Sequence, residues 1–276
     1  MNFFDFLADM CNPNLVFLPK ALLVAVMSAV ICAVTGVHVV LRRLSFVGDA
    51  LSHAVFPGIA VAFAMQGSIL LGGAVAGGAV ALLIALFSQS RRLGEDSVIG
   101  IFFAAAFALG LVIMSRIPGY TGSLESFLFG SLTGVTNADI LTVAAAGICI
   151  LSVLAVFHKK LVLLGVDRDY ARTLGLRVGM LDLLLFLTIA AAVVVSVQTI
   201  GNILVLALLT APAAGARMVT DRIFPMMVIA SVIGAVSAFL GIWASWALNL
   251  PTGASIVLVS ALLFILLWVF SPIRRH

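Results

Sequence analysis

Apolar residues in this chain come in long runs, with charges confined to the gaps between them. Residues 21–41 contain no Asp, Glu, Lys or Arg, and Arg42 and Arg43 close the run. Similar runs cover 69–87, 97–115, 140–157, 223–250 and 252–270. A helix needs about 20 apolar residues to cross a bilayer, so each run predicts one span. Residues 47–65 form a further run that carries Asp49 and His53. It reads as a span with a polar entrance, kinked at Pro57. From Leu183 to Ala216 there are 34 positions without a charge. As one helix that stretch would measure roughly 51 Å, against a hydrocarbon core of about 30 Å. It must break or turn back. The sequence Gln198-Thr199-Ile200-Gly201-Asn202 is the expected place, and Pro212 is a second irregularity. The pattern predicts an all-α polytopic bundle of eight or nine spans, with a broken or re-entrant segment near 198–212.

Composition agrees and sharpens the class. The 276 residues are 63% hydrophobic and 9% charged, with a mean hydropathy of +1.29. That excludes an ordinary soluble domain and leaves room for a single transmembrane domain over 1–276. The opening residues lack a basic n-region, so no cleaved signal peptide is expected. The net charge of +4 comes from basic residues scattered among loops, which gives no footprint for nucleic acid. Cys11, Cys32 and Cys149 have neither metal-ligand nor disulfide spacing.

The basic residues orient the chain. With nine spans and an external N-terminus, only Lys20 and Arg116 of the 15 Lys and Arg fall outside. The rest, from Arg42 and Arg43 through Arg91, Arg92, Lys159 and Lys160 to Arg274 and Arg275, are cytoplasmic. The polar stretch 165–182 then lies in the cytoplasm. Asp167 or Asp169 can cap a short surface helix over 170–174, and Gly175 can stop it. A loop rich in Gly, Ser and Thr covers 116–137, with an interfacial segment at 124–132.

Few residues could carry chemistry. Asp49 and His53 are four apart and share one helical face. A carboxylate and an imidazole together suit Zn²⁺, Mn²⁺ or Fe²⁺. Two ligands do not complete a site, and partial coordination suits a pathway that must release its ion. The competing reading is a hydrogen-bonded pair that stabilises a helix start. His38, near the end of the first span, reads first as a packed or snorkelling side chain and second as a ligand. Gln198 stands at the expected break, where freed carbonyls could face a pathway. Gly73 and Gly77 form a small-xxx-small pair for helix packing. Glu95, Asp96, Glu125 and Asp139 read as solvated or helix-capping loop charges, and His158 as interfacial. There is no P-loop, so no ATP site is expected on this chain, and the H-E-x-x-H and G-x-S-x-G signatures are missing too.

Several separated motifs resemble one family. The segment LRRLSFVGDALSHAVFPGIAVAF at 41–63 is the most specific, followed by DSVIGIFFAAAFALGLVIMS at 96–115 and LFGSLTGV at 128–135. VDRDYARTLGL at 166–176, IGNILVLALLTAPAAGARM at 200–218 and PTGASIVL at 251–258 complete the set. Together they resemble the membrane permeases of bacterial metal-ion ABC importers, the zinc/manganese/iron class known as the ABC-3 family. The resemblance implies a multi-pass protein of the bacterial plasma (inner) membrane. It implies a second permease copy (a homodimer or a close paralogue), two cytoplasmic ATPase subunits that bind ATP, and an extracytoplasmic metal-binding protein. It implies that Asp49 and His53 line the path of a transported Zn²⁺ or Mn²⁺, with Fe²⁺ as a third option, and that no cofactor is permanently bound. It also implies that 166–176 is a coupling helix, with Asp167, Tyr170, Ala171 and Gly175 at the ATPase interface. The alternatives are a stand-alone secondary carrier or channel, and an intramembrane enzyme using Asp49 and His53 as acid and base.

Overall fold

The computed structural model describes residues 3–44, 46–89, 94–116 and 134–271. Arg91, Arg92, the 124–132 segment with Glu125, most of LFGSLTGV, and Arg274 and Arg275 lie outside the described residues. Twelve α-helices and no strand occur among the described residues. They are α1 (Phe3–Met10), α2 (Phe17–Leu41), α3 (Val47–Ala54), α4 (Phe56–Ala64), α5 (Ile69–Phe87) and α6 (Glu95–Met114). Then come α7 (Asn137–Val166), α8 (Arg168–Thr173), α9 (Val178–Ile200), α10 (Asn202–Arg217), α11 (Ile223–Leu248) and α12 (Thr252–Phe270).

Among the described residues, eight segments are long and apolar enough to cross a membrane, with α3 and α4 together counted as one. The sixteen residues of α10 make a shorter helix of about 24 Å. The expected eight or nine spans are therefore eight full-length segments and one short one. The break falls at Gly201, whose φ of 82° and ψ of 161° suit glycine and almost no other residue. Pro212 lies inside α10 without ending it, so the second expected irregularity interrupts nothing. The 47–65 span divides at Val55, with Pro57 in the first turn of α4. Proline is tolerated there because that position has no helical N–H bond to lose.

Two helices depart from the expectation. The fifth span runs to Val166 as a 30-residue helix instead of stopping at Phe157. His158, Lys159 and Lys160 continue it, since long basic side chains can leave the apolar layer without ending a helix. The N-terminal Phe3–Met10 helix was not expected. It is held by Phe6, which is fully buried, and by edge-on ring contacts from Phe3 to Phe239 and Trp243. Trp246 Nε1 also donates to Asp9 Oδ2 at 3.0 Å.

The chain forms two compact units. One comprises Met1–Val37, Ser123–Ile148 and Ser196–His276. Its helices meet at glycines. A Cβ at Gly36 would fall 1.8 Å from the Leu209 carbonyl oxygen, and one at Gly241 would fall 2.4 Å from Ile256 Cα. Lipid tails are as apolar as leucine, so helices in a bilayer gain from packing backbones closely. Asn249, in the left-handed region at φ 53°, ends α11, and Ser245 Oγ lies 2.9 Å from Thr252 Oγ1 across the turn.

The other unit comprises His38–Gly122 and Cys149–Val195. Here α4 packs on α5 through Gly58 and Gly72. A Cβ at Gly58 would lie 2.0 Å from the Gly72 oxygen, and one at Gly72 would lie 2.3 Å from the Gly58 oxygen. Gly73 faces Val55 and Gly77 faces Val194, so the small-xxx-small pair is a packing feature. Gly72→Ala must push α4 and α5 apart, and overpacking of this kind costs about 1–3 kcal/mol. A lower midpoint for loss of the monodisperse peak, on heating the detergent-purified protein, would register it; Gly100→Ala, which meets nothing within 4 Å, should leave the midpoint unchanged.

Candidate functional site

The α2–α3 connection sets up the site. Arg43, two residues past the end of α2, takes a left-handed φ of 59°, and α3 begins at Val47. Asp49 lies in the first turn of α3 and His53 in its last. His53 Nε2 sits 3.5 Å from Asp49 Oδ1. That is a contact between two ligand-type atoms, longer than a good hydrogen bond. Their side chains keep 19% and 33% of their exposure, so the pair can be reached.

The imidazole is held from α6. Phe103 and Phe107, four residues apart, stack on each other and meet the His53 ring edge-on at 5.3 and 5.1 Å. Edge-to-face geometry fixes a ring without consuming its nitrogens. Gly110, one turn beyond Phe107, lets Phe56 and Pro57 approach α6, since a Cβ there would fall 2.5 Å from the Phe56 ring. The break at Val55 and the glycine opposite it thus place His53 against the Phe pair. Among the described residues no third His, Cys, Asp or Glu joins the pair to make a metal-sized cluster.

The other sequence candidates lie elsewhere. His38 is buried, and its ring meets that of His158 edge-on at 6.2 Å. Gln198 is exposed on the last turn of α9.

The short helix α8 begins two residues before the expected 170–174. Asp167 caps it, accepting from the backbone N–H groups of Asp169 and Tyr170, each at 2.9 Å. At the other end Gly175 takes φ 75°. Its N–H donates to the Arg172 carbonyl, and Leu176 N–H donates to the Ala171 carbonyl. This is the paired Schellman closure that a left-handed glycine permits. Ala171 is fully buried, so the outward surface of α8 is made by Tyr170 and Leu174, 53% and 55% exposed, and by Arg172.

Beneath α8 lies a charge network that sequence reasoning missed. Arg42 Nη1 bonds Asp182 Oδ1 at 2.8 Å. Arg168 bonds the other Asp182 oxygen through Nη2 and Glu95 Oε1 through Nη1. Asp182 is 1% exposed and the Arg42 side chain 8%. Burial pulls the pKa of the Arg42 guanidinium down, and the Asp182 carboxylate pulls it back up. Glu95 is therefore no solvated loop charge, and Arg42 does more than mark the cytoplasmic face. The available signal was Asp182 itself, a carboxylate at the mouth of the 34-residue uncharged run. Such a group needs a basic partner. Asp139 behaves as expected and caps its helix by accepting from Thr136 N–H at 2.8 Å.

Residues 14–271 match the ABC 3 transport family. The chain belongs to the ABC 3 transport family. It is a multi-pass permease subunit of an ABC transporter in the bacterial plasma (inner) membrane, and is not itself catalytic. One relative is the manganese transport system membrane protein MntC of Halalkalibacterium halodurans, 38% identical over 93% of this chain and 88% of that one. Another is the chelated iron transport system membrane protein YfeC of Yersinia pestis, 34% identical over 94% of this chain and 88% of that one. Among solved structures, PsaBC from Streptococcus pneumoniae in complex with Fab superposes with a TM-score of 0.87 at 28% identity, covering 100% of this chain and 98% of that chain. A putative metal-chelate type ABC transporter in an inward-facing conformation, at 20% identity and a TM-score of 0.74, supports the fold alone.

Asp167→Ala removes the acceptor that starts α8 and should weaken it by about 1 kcal/mol. Amide hydrogen exchange across 168–174 would then quicken roughly five-fold, while α5 and α11 stay protected.

Proposed function

We propose that this chain is the translocation pathway of an ATP-driven importer for a divalent transition metal, with Asp49 and His53 as ligands on the path. The observation that carries the reading is the Asp49–His53 pair: reachable, fixed by two phenylalanines, and short of a full ligand set. A second copy of the chain, or other spans, would supply the remaining ligands. An incomplete site lets an ion enter, shed water stepwise and leave.

Manganese is the first cargo to test, since relatives at 38% identity are named as manganese transporters, and iron is the second. Zinc suits the same donors. An extracytoplasmic binding protein would deliver the metal. ATP would be hydrolysed by two partner subunits on the cytoplasmic side, docked on α8 as a coupling helix. In that role Asp167 and Gly175 fix the ends of the helix, Ala171 seats it, and Tyr170 meets the partner. A stand-alone carrier has no use for a capped, six-residue surface helix presenting Tyr170 and Leu174.

Uptake of Mn²⁺ by cells carrying Asp49→Ala or His53→Ala should fall at least ten-fold while the complex still assembles. Normal uptake in both variants would sink the site assignment. The purified chain alone should release no phosphate from ATP. Competition among Mn²⁺, Fe²⁺ and Zn²⁺ for uptake identifies the cargo.

A further inference from the structure

The charges beneath α8 alternate in a line: Glu95, Arg168, Asp182, Arg42. Each joins a different helix or helix end. Glu95 opens α6, Arg168 opens α8, Asp182 lies in the second turn of α9, and Arg42 follows the last residue of α2. Arg168 sits at the centre, with one guanidinium nitrogen on each carboxylate. Only a planar fork with several donors holds two carboxylates in fixed directions.

The ends of this line lead to the candidate metal pair. From Arg42 the backbone reaches Asp49 within seven residues, through the Arg43 turn and the start of α3. From Glu95, α6 runs two and three turns to Phe103 and Phe107, the residues that hold the His53 ring. One arm thus ends at the helix that carries Asp49, and the other at the helix that fixes His53. A six-residue helix has little stability of its own and takes its position from what it is tied to. For α8 those ties are the buried Ala171 and Arg168.

We propose that Glu95, Arg168, Asp182 and Arg42 are positioning residues that carry movement of α8 to both sides of the Asp49–His53 pair. The proposal rests on the importer function proposed above. A carboxylate as buried as Asp182 cannot lose its partners cheaply, so the line moves as one piece or breaks at a definite point. Arg42 Nε and Nη2 have no hydrogen-bond partner among the described residues, which leaves Asp182 as its anchor.

The test uses the whole transporter, co-purified with its ATPase and binding protein and reconstituted in proteoliposomes. Mn²⁺ uptake and phosphate release are measured on the same sample and expressed per assembled complex. Asp182→Asn should keep at least half of the ATP hydrolysis and move at least ten-fold less Mn²⁺ per ATP. Glu95→Gln is a milder change, because Glu95 ends the line and its side chain keeps 25% of its exposure. It should lower the ratio three-fold or more. Arg168→Lys keeps the charge but not the fork, and should fall between Glu95→Gln and Asp182→Asn. An unchanged ratio in assembled Glu95→Gln overturns the proposal, whatever Asp182→Asn does. So does a loss of uptake and hydrolysis in step, which is the signature of a purely structural network. A wild-type complex that captures no ATPase, or that moves none of Mn²⁺, Fe²⁺ and Zn²⁺, would refute the proposed importer function instead.

Discussion

A helix surrounded by lipid gains nothing by hiding leucine from leucine. What remains to hold such a chain together is close contact between backbones and the pairing of the few polar groups it keeps. The glycines at 36, 58, 72 and 241 are the clearest expression of the first, since each stands where a single added carbon would collide with a neighbouring main chain. The line from Glu95 to Arg42 expresses the second, with a nearly inaccessible carboxylate between two guanidiniums. The two devices divide the labour. Glycine contacts determine how closely helices approach, and ion pairs determine which helix ends must stay together.

The same division explains what could be read from the sequence. Spans were legible because charges end them, as Arg42 ends α2 and the Arg217–Arg222 segment separates α10 from α11. The break at Gly201 was legible because 34 uncharged residues are too long for one crossing and a glycine stands in the middle. The helix α8 was legible from an aspartate before it and a glycine after it, and its first residue moved by two because Asp167 rather than Asp169 is the cap. Asp49 and His53 were legible from a four-residue spacing, and the structure does bring them together. The phenylalanine pair on α6 was hidden among 19 phenylalanines. The ion line joins residues 14, 73 and 140 positions apart, a separation at which local pattern carries no information.

The candidate metal pair gains meaning from its incompleteness. A four-ligand cage would bind a transition metal tightly and release it slowly. Two ligand-type side chains on one short helix, with the ring held and both partly exposed, would form a station for another surface to complete. Completion and dissolution of such a site can then follow the relative motion of helices. That suits a subunit whose energy would come from outside the membrane.

The surplus length of α7 has a mechanical meaning. Its 30 residues extend about 45 Å, against a hydrocarbon layer of about 30 Å. Past Lys160 the helix continues for six residues before Asp167 begins α8. That extension adds about 9 Å of helix, packed through the buried Leu161 and Leu164, and its length sets where α8 begins. Each residue added to it would raise α8 by about 1.5 Å and swing it by about 100°. The register of α7 near its end therefore fixes the height and heading of α8, written in residue number rather than in side-chain chemistry.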